Sequence, residues 1–258
     1  MHAAERELLI SEALRPKGFI SFRELEALLE ASPATIRRDL SRLEAQGSLV
    51  RIHGGAKLRE QSERQPRLLG TPFAQSITEH LAAKQAIGKA AAKLVPFGEG
   101  IMIDGGTTTL QMCPHLAGRQ CQVLTNSLYI VNALLAQKGI RVLVPSGSVF
   151  PEQNIILAAA GEESMPRFHA PKLFMGAACV GPQGVMQADV VLVAAERRFI
   201  ERAQKVILLV DSSKFNGQSG SIVCGLDEID TVITDAVPLV MAEAFARAGV
   251  DTILIDKK

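Results

Sequence analysis

The chain has 258 residues, 47% of them hydrophobic and 21% charged, with a formal net charge of +1. That length favours two domains over one, and that composition excludes a largely disordered chain. A near-zero charge announces neither a nucleic-acid binder nor an acidic partner, and a single Tyr with no Trp argues against an aromatic platform for single-stranded nucleic acid.

The average hides a segregation of charge. Residues 1–31 carry four basic and six acidic side chains, whereas residues 32–59 carry six basic and two acidic ones, an excess of four positive charges. In residues 5–15, Leu8 or Leu9, Ala13 and Leu14 share a helical stripe; Phe22 to Glu30 gives a second helix with Leu25, Leu28 and Leu29 inward. Ser32 is a good N-cap and Pro33 a good first residue for a third helix that runs to Gly47. At about 100° per residue, Ile36, Leu40 and Leu43 face inward, Ala34, Thr35, Arg38, Ser41 and Arg42 face outward, and Arg37 lies on the flank. A short, hydroxylated, arginine-rich outer face suits the DNA major groove. The run SLVRIHGGAKLR then reads as strand, Gly54-Gly55 turn and return strand, a wing carrying Arg51, His53, Lys57 and Arg59. The candidate DNA contacts are Ser32, Thr35, Arg37, Arg38, Ser41, Arg42, Arg51 and His53. On spacing alone, the same pattern also fits a three-helix surface domain with merely solvated arginines.

Residues 58–80 are polar, contain two prolines and lack periodicity, which predicts a linker. The expected division is therefore 1–57, a DNA-binding domain; 58–80, a linker; and 81–258, a sensor. In the last of these, short apolar runs alternate with Ala-rich helical stretches: residues 100–104, 122–126, 141–145, 172–176, 205–211, 230–235 and 251–256. Such alternation predicts βαβ units and a mostly parallel sheet. The first run ends at Asp104 and enters Gly105-Gly106-Thr107-Thr108-Thr109 before a helix. A glycine-rich strand-to-helix turn offers free N–H groups to a phosphate, although it is equally a tight connection. Other strand ends deliver Thr125, Asn126 and Ser127; Ser146 and Gly147; Gly176; and Asp211, Ser212 and Lys214. Carboxyl ends of parallel strands share one edge, where ligands bind. Asp104 and Asn126 are candidates for sugar hydroxyls, Gly106 to Thr109 with Thr125 for a phosphate, and Lys214 for a nearby positive charge or else a solvated loop lysine.

Cys113, Cys121, Cys179 and Cys224 form no CxxC pair and read as buried thiols. The histidines show no metal-binding spacing, so neither a metal nor a cofactor is expected. The amino terminus lacks a signal-peptide layout and no apolar run is long enough for a membrane span, so a cytoplasmic protein without membrane contact is expected.

Arg6, Ile10 and Leu14, the run from Ser32 to Leu40, Leu43-Glu44, Gly47 and the run from Arg51 to Ala56 resemble the amino-terminal domain of the DeoR family of bacterial sugar-responsive regulators. Lys84 with Ile87-Gly88, Asp104 to Thr109, Leu124 to Ser127, the neighbourhood of Gly161, Asp211 to Phe215 and Ile233 to Asp235 extend the resemblance over nearly the whole chain. It implies an α/β protein: a winged helix-turn-helix domain plus a mostly parallel α/β sensor domain resembling the ribose-phosphate isomerase-like fold. It further implies that Thr35, Arg37, Arg38 and Arg42 face DNA while Asp39 orients an arginine or caps locally. The expected function is a repressor that binds double-stranded operator DNA as a homo-oligomer, dimer or tetramer, and responds to a phosphorylated sugar or sugar-derived metabolite. Three stretches depart from the family pattern: Pro145 to Ser148, Gly181 to Gly184, and Glu196-Arg197 in place of a common Lys-Arg before a helix. The alternative is an isomerase-like enzyme with an appended DNA-binding domain. Asp104, Asp211 and Lys214 are its candidate residues, but the segment Ala178 to Gly181 carries no carboxylate where such isomerases have an acid-rich loop, so a non-enzyme is expected.

Overall fold

A computed structural model describes residues 6–7, 9–10, 13–14, 19–29, 31–45, 49–52, 54–58, 73–157, 165–216 and 220–255. The chain divides into two compact units, Met1–Pro66 and Arg67–Lys258.

In the first unit the described positions within 6–14 are helical (α1), followed by β1 (Phe19–Ser21), α2 (Phe22–Leu29), α3 (Pro33–Ala45), β2 (Leu49–Ile52) and β3 (Gly55–Leu58). Ser21 and Glu24 start α2 with a reciprocal cap: the Glu24 N–H donates to Ser21 Oγ and the Ser21 N–H to Glu24 Oε2. The strands form one antiparallel sheet in the order β1-β3-β2. The wing is thus a three-stranded sheet rather than the expected hairpin, since three residues are too few for β1 to announce itself by alternation. Gly54 turns the wing at φ +91°, and a Cβ on Gly55 would lie 2.2 Å from the Ile20 carbonyl oxygen. Ile10, Leu14, Ile20, Leu25, Leu29, Ile36, Leu40, Leu43, Leu49 and Ala56 make the core. Leu28, expected inward, is 41% exposed; Leu25 and Leu29, one turn apart, already fill that face.

The second unit begins with α4 (Phe73–Ser76) and α5 (Leu81–Ala92), then β4 (Gly100–Ile103), a 3-10 helix (Thr109–His115), β5 (Gln122–Leu124), α6 (Leu128–Leu135), β6 (Arg141–Leu143), β7 (Ser148–Phe150), β8 (Ile155–Leu157) and β9 (Ala170–Met175). It continues with β10 (Cys179–Gly181), β11 (Gly184–Gln187), α7 (Val190–Ile200), β12 (Ala203–Leu209), a 3-10 helix (Ser212–Asn216), β13 (Ser221–Cys224), β14 (Thr231–Thr234), α8 (Leu239–Ala248) and β15 (Asp251–Leu254). All seven predicted strands enter one parallel sheet, ordered β15-β14-β12-β9-β4-β5-β6. Strand alternation divides the core in two. Met102, Leu124, Leu173, Met175, Val206 and Leu208 pack with Phe199 of α7 and Phe245 of α8. Ile101, Ile103, Val123, Phe174, Ile207 and Leu209 pack on the other face with Ile87 of α5 and Ile130 and Leu134 of α6.

The stretch 58–80 is not a linker throughout. Leu58 belongs to β3, and the Phe73 ring is buried and stacked on Tyr129 with centroids 4.2 Å apart, which holds α4 on the second unit. Residues 59–72 lie outside the described residues. The helix expected after the Gly-Thr turn is the 3-10 helix Thr109–His115, which contains Pro114. Glu196-Arg197 lies inside α7 rather than before a helix.

Candidate functional site

In the first unit Ser32 caps α3: its Oγ accepts the Thr35 N–H at 3.3 Å and meets Thr35 Oγ1 at 2.9 Å. Ile36, Leu40 and Leu43 are buried, while Ser32, Arg37, Arg38, Ser41 and Arg42 are exposed and Thr35 is half-buried. These surface groups are not equally free to bind a ligand. Arg38 makes no hydrogen bond or ion pair among the described residues. The Arg37 guanidinium sits 5.4 Å over the Phe22 ring. Ser41 donates to the Arg37 carbonyl and accepts from Arg51 Nη1 at 2.7 Å, so helix and wing are fastened together at these residues. Arg42, expected to face outward, is turned toward α1, where Nε pairs with Glu7 and Nη2 lies 3.6 Å from Asp39. Asp39 is buried and takes two bonds from Arg6, at 2.7 and 3.3 Å; it orients arginines, as the resemblance implied. His53 lies outside the described residues.

In the second unit the strand order reverses between β4 and β9, so the topological switch point opens at their carboxyl ends. There the buried Asp104 carboxylate accepts the N–H groups of Gly105 and Gly176; burial nevertheless lifts it from 3.8 to about 6. Asn126, after β5, lies beside this turn: a Cβ on Gly105 would be 3.3 Å from its Oδ1. Its side chain is buried and neither amide atom has a partner. Asp211, after β12, accepts the Ser213 N–H and hydroxyl on Oδ1 and leaves the buried Oδ2 unpartnered. Buried polar atoms without partners are costly, and Asn126 and Asp211 leave three of them at this edge.

The threonines of this edge differ in what they hold. Thr109 Oγ1 is buried among the Gly106 N–H and the Asp104 and Gly106 carbonyls, so it locks the turn rather than facing a phosphate. Thr125 Oγ1 accepts the Ser127 N–H, and Ser127 Oγ caps α6. Thr108 is buried. Thr107 is half-buried, with Oγ1 3.4 Å from Ser76 Oγ. Gly147 is exposed at φ +151° in the turn after β6, the edge strand, and stands apart from the switch point.

Two residues of this edge were not among the predicted site residues. Lys84 of α5 is buried and its Nζ donates to the Ser76 carbonyl at 2.6 Å; burial and the nearby Lys214 push its pKa down, against Asp211 and Glu79. Its place in an Ala-rich helix pattern disguised it. Glu196 is buried, with Oε1 accepting from Gln187 Nε2 at 2.5 Å and Oε2 unpartnered. Burial and then the Asp104 charge hold it well above the ordinary glutamate range, against the Gln187 bond. The departure at Glu196 was the available signal.

Two cavities are found among the described residues. One, of about 480 Å³, is lined by Arg167, Phe168, His169, Glu201, Arg202 and Ala203; another, of about 280 Å³, lies between Leu110 to Pro114 and Ala133 with Gln137. The first sits at the amino ends of β9 and β12, opposite the switch point. All four cysteines are buried, and none is in a disulfide. Among the described residues, no three His, Cys, Asp or Glu side chains group as a metal site, and no helix is long and apolar enough to cross a membrane.

Residues 6–62 match the model of the DeoR-like helix-turn-helix domain, and residues 79–236 that of the DeoR C terminal sensor domain. A protein of Escherichia coli O157:H7 named as an aga operon transcriptional repressor is 31% identical over 98% of this chain and 94% of its own. The transcriptional repressor GlcR of Bacillus subtilis is 28% identical over 100% and 98%, and the regulator UlaR of Escherichia coli 30% identical over 91% of each chain. Among solved structures, ribose 5-phosphate isomerase A of Methanocaldococcus jannaschii overlaps 51% of this chain and 53% of its own at 18% identity and a TM-score of 0.38, a likeness that supports no functional statement. Two domain models in order and relatives spanning both units agree: the chain belongs to the DeoR family of transcription regulators.

Proposed function

We propose that the protein represses a carbohydrate-utilisation operon by binding double-stranded operator DNA, and that a phosphorylated sugar or sugar-derived metabolite controls it. The observation that carries this reading is the span of the likeness: a relative named as a sugar-operon repressor matches 98% of the chain, DNA-binding unit and sensor alike. On the DNA side, Arg38 reads bases or phosphates. Arg37, Thr35, Ser32 and the Ser41–Arg51 pair position α3 and the wing, with His53 on the same wing. Arg42 acts through its pairs with α1. On the sensor side, the half-buried Lys214 and the buried Lys84 hold the phosphate beside Gly106, Thr107 and Thr108, and Asp104, Asn126 and Asp211 take hydroxyls. Gly105 and Gly176 give the backbone approach, whereas Thr109, Thr125 and Ser127 keep the strand ends in shape. Two half-sites read by a homo-oligomer supply the affinity that one small basic face lacks. The protein works in the cytoplasm, where operator and metabolite are both present.

A non-enzymatic sensor fits relatives that are named as regulators. One observation favours a second reading, a sugar-phosphate isomerase: Glu196 brings a buried carboxyl near Asp104. One experiment separates them. Duplexes enriched from a random pool by the full-length protein are bound to it, and phosphorylated sugars are added while turnover is followed. Release of DNA without turnover supports the repressor; turnover supports the enzyme; no enriched duplex refutes the repressor.

A further inference from the structure

Lys84 is 1% exposed and makes no ion pair among the described residues; of the three donors of its ammonium, one goes to the Ser76 carbonyl at 2.6 Å. A buried cation without a counterion is costly. Distances place it beside the Gly-Thr turn. Gly88, one helical turn after Lys84 on α5, packs so closely on the 3-10 helix Thr109–His115 that a Cβ there would lie 2.5 Å from the Gln111 carbonyl carbon. Gln111 Nε2 in turn donates to the Thr107 carbonyl at 3.3 Å. Thr107 Oγ1 lies 3.4 Å from Ser76 Oγ, and both residues are half-buried. Among the described residues, neither hydroxyl has another hydrogen bond. Only one of them donates to the other, so one O–H proton is left over, next to the residue that Lys84 holds with a single N–H. Spare donors and an unbalanced positive charge, gathered in one half-buried place, make a receptor for an anion.

We propose that Ser76 is a further ligand of the effector phosphate, and that by taking it the effector clamps α4 to the strand-end edge. This rests on the reading of that edge as a sugar-phosphate site. A phosphate oxygen beside Ser76 Oγ and Thr107 Oγ1 accepts from both hydroxyls, and Lys84 supplies charge and further N–H groups while it keeps the Ser76 carbonyl. The other end of α4 is already held: the Phe73 ring stacks on Tyr129 of α6, and the Phe73 N–H donates to the Glu152 carbonyl at 3.3 Å. A bound phosphate therefore tightens the Ser76 end. After β3 of the DNA-binding unit, α4 is the first described element of the sensor, so the ligand ties down the segment by which the chain enters the sensor. A ligand shifts an equilibrium only by binding one state better. The state with Ser76 docked is the one that offers phosphate the full set of donors.

The test uses full-length protein with inorganic phosphate and glucose 6-phosphate as probes. Calorimetry measures binding, and hydrogen exchange read by mass spectrometry follows residues 73–80. In the wild type, saturating phosphate slows exchange in this segment by at least about tenfold, the local opening having lost a charged hydrogen bond's worth of freedom. Ser76→Ala keeps the carbonyl that Lys84 uses and melts at the wild-type temperature. It binds both probes about 10- to 150-fold more weakly, the loss expected for a hydrogen bond to a charged group. At the concentration that saturates the wild type, its exchange in 73–80 is not slowed, and Ser76→Thr restores both binding and slowing. Unchanged affinity in Ser76→Ala overturns the role of Ser76 and leaves the phosphate site standing. Weaker binding by Ser76→Ala, with no slowing in the saturated wild type, overturns the clamp. Failure of both probes to bind the wild type overturns the proposal and the phosphate-site reading together.

Discussion

Replacing Asp104 with Asn changes how stability depends on pH. In the unfolded chain this carboxyl titrates near 3.8, and in the folded protein near 6, because burial outweighs the two N–H groups that it accepts. Between those values the folded state holds a proton that the unfolded state has lost. Stability therefore falls as pH rises through this window, and above about pH 6 the full penalty remains, on the order of 3 kcal/mol at 1.36 kcal/mol per pH unit of displacement. Asn carries no charge, so this penalty vanishes in the variant. It also pays a constant cost, since an amide accepts poorly from both Gly105 and Gly176, and the informative quantity is the change with pH. Relative to the wild type, Asp104→Asn should gain about 2 kcal/mol between pH 4.5 and 7.5. Urea denaturation of the ligand-free proteins, followed on the sensor transition, measures it. A difference that stays flat, or that moves against the variant as pH rises, would show that Asp104 is not held in a dry site.

The remaining predictions concern each unit separately. Arg38→Ala should weaken binding to an enriched duplex by about 5- to 150-fold at matched salt, the loss of a base-contacting arginine, with no change in melting temperature; unchanged anisotropy titrations would remove Arg38 from the recognition surface. Arg42→Ala should instead lower the melting temperature of the first unit, because the Asp39–Arg6–Glu7 cluster loses a member; a full loss of DNA binding without destabilisation would reverse the two roles. Leu40→Ala should destabilise the first unit by about 2–5 kcal/mol, read by loss of its helical signal at lower urea than in the wild type. Lys214→Ala should abolish release of DNA by the effector and leave DNA affinity intact, and release at the wild-type effector concentration would exclude Lys214 from the phosphate site.

Much of this protein was legible from local pattern. Ser32-Pro33 and the spacing of Ile36, Leu40 and Leu43 specify α3 and its buried side, because capping and helical periodicity act within a few residues. The seven apolar runs specify the strands of a parallel sheet buried on both faces for the same reason. The motif at Asp104 and the strand-end residues Asn126 and Asp211 lie at one edge because parallel strands put their carboxyl ends together. Three things depended on packing between distant segments. That Arg42 turns to Glu7 follows from α1 lying against α3, a contact across more than thirty residues. That Thr109 and Thr125 fasten turns, while Asn126 stays unpartnered, follows from which backbone groups reach each hydroxyl or amide. Above all, the strand order reverses between β4 and β9, which brings Gly176 to Asp104 and lets α7 bury Glu196 near the same carboxyl. Sequence spacing carries the period of an element but not its neighbours in the sheet, so the charge of this edge was decided only when the sheet was assembled.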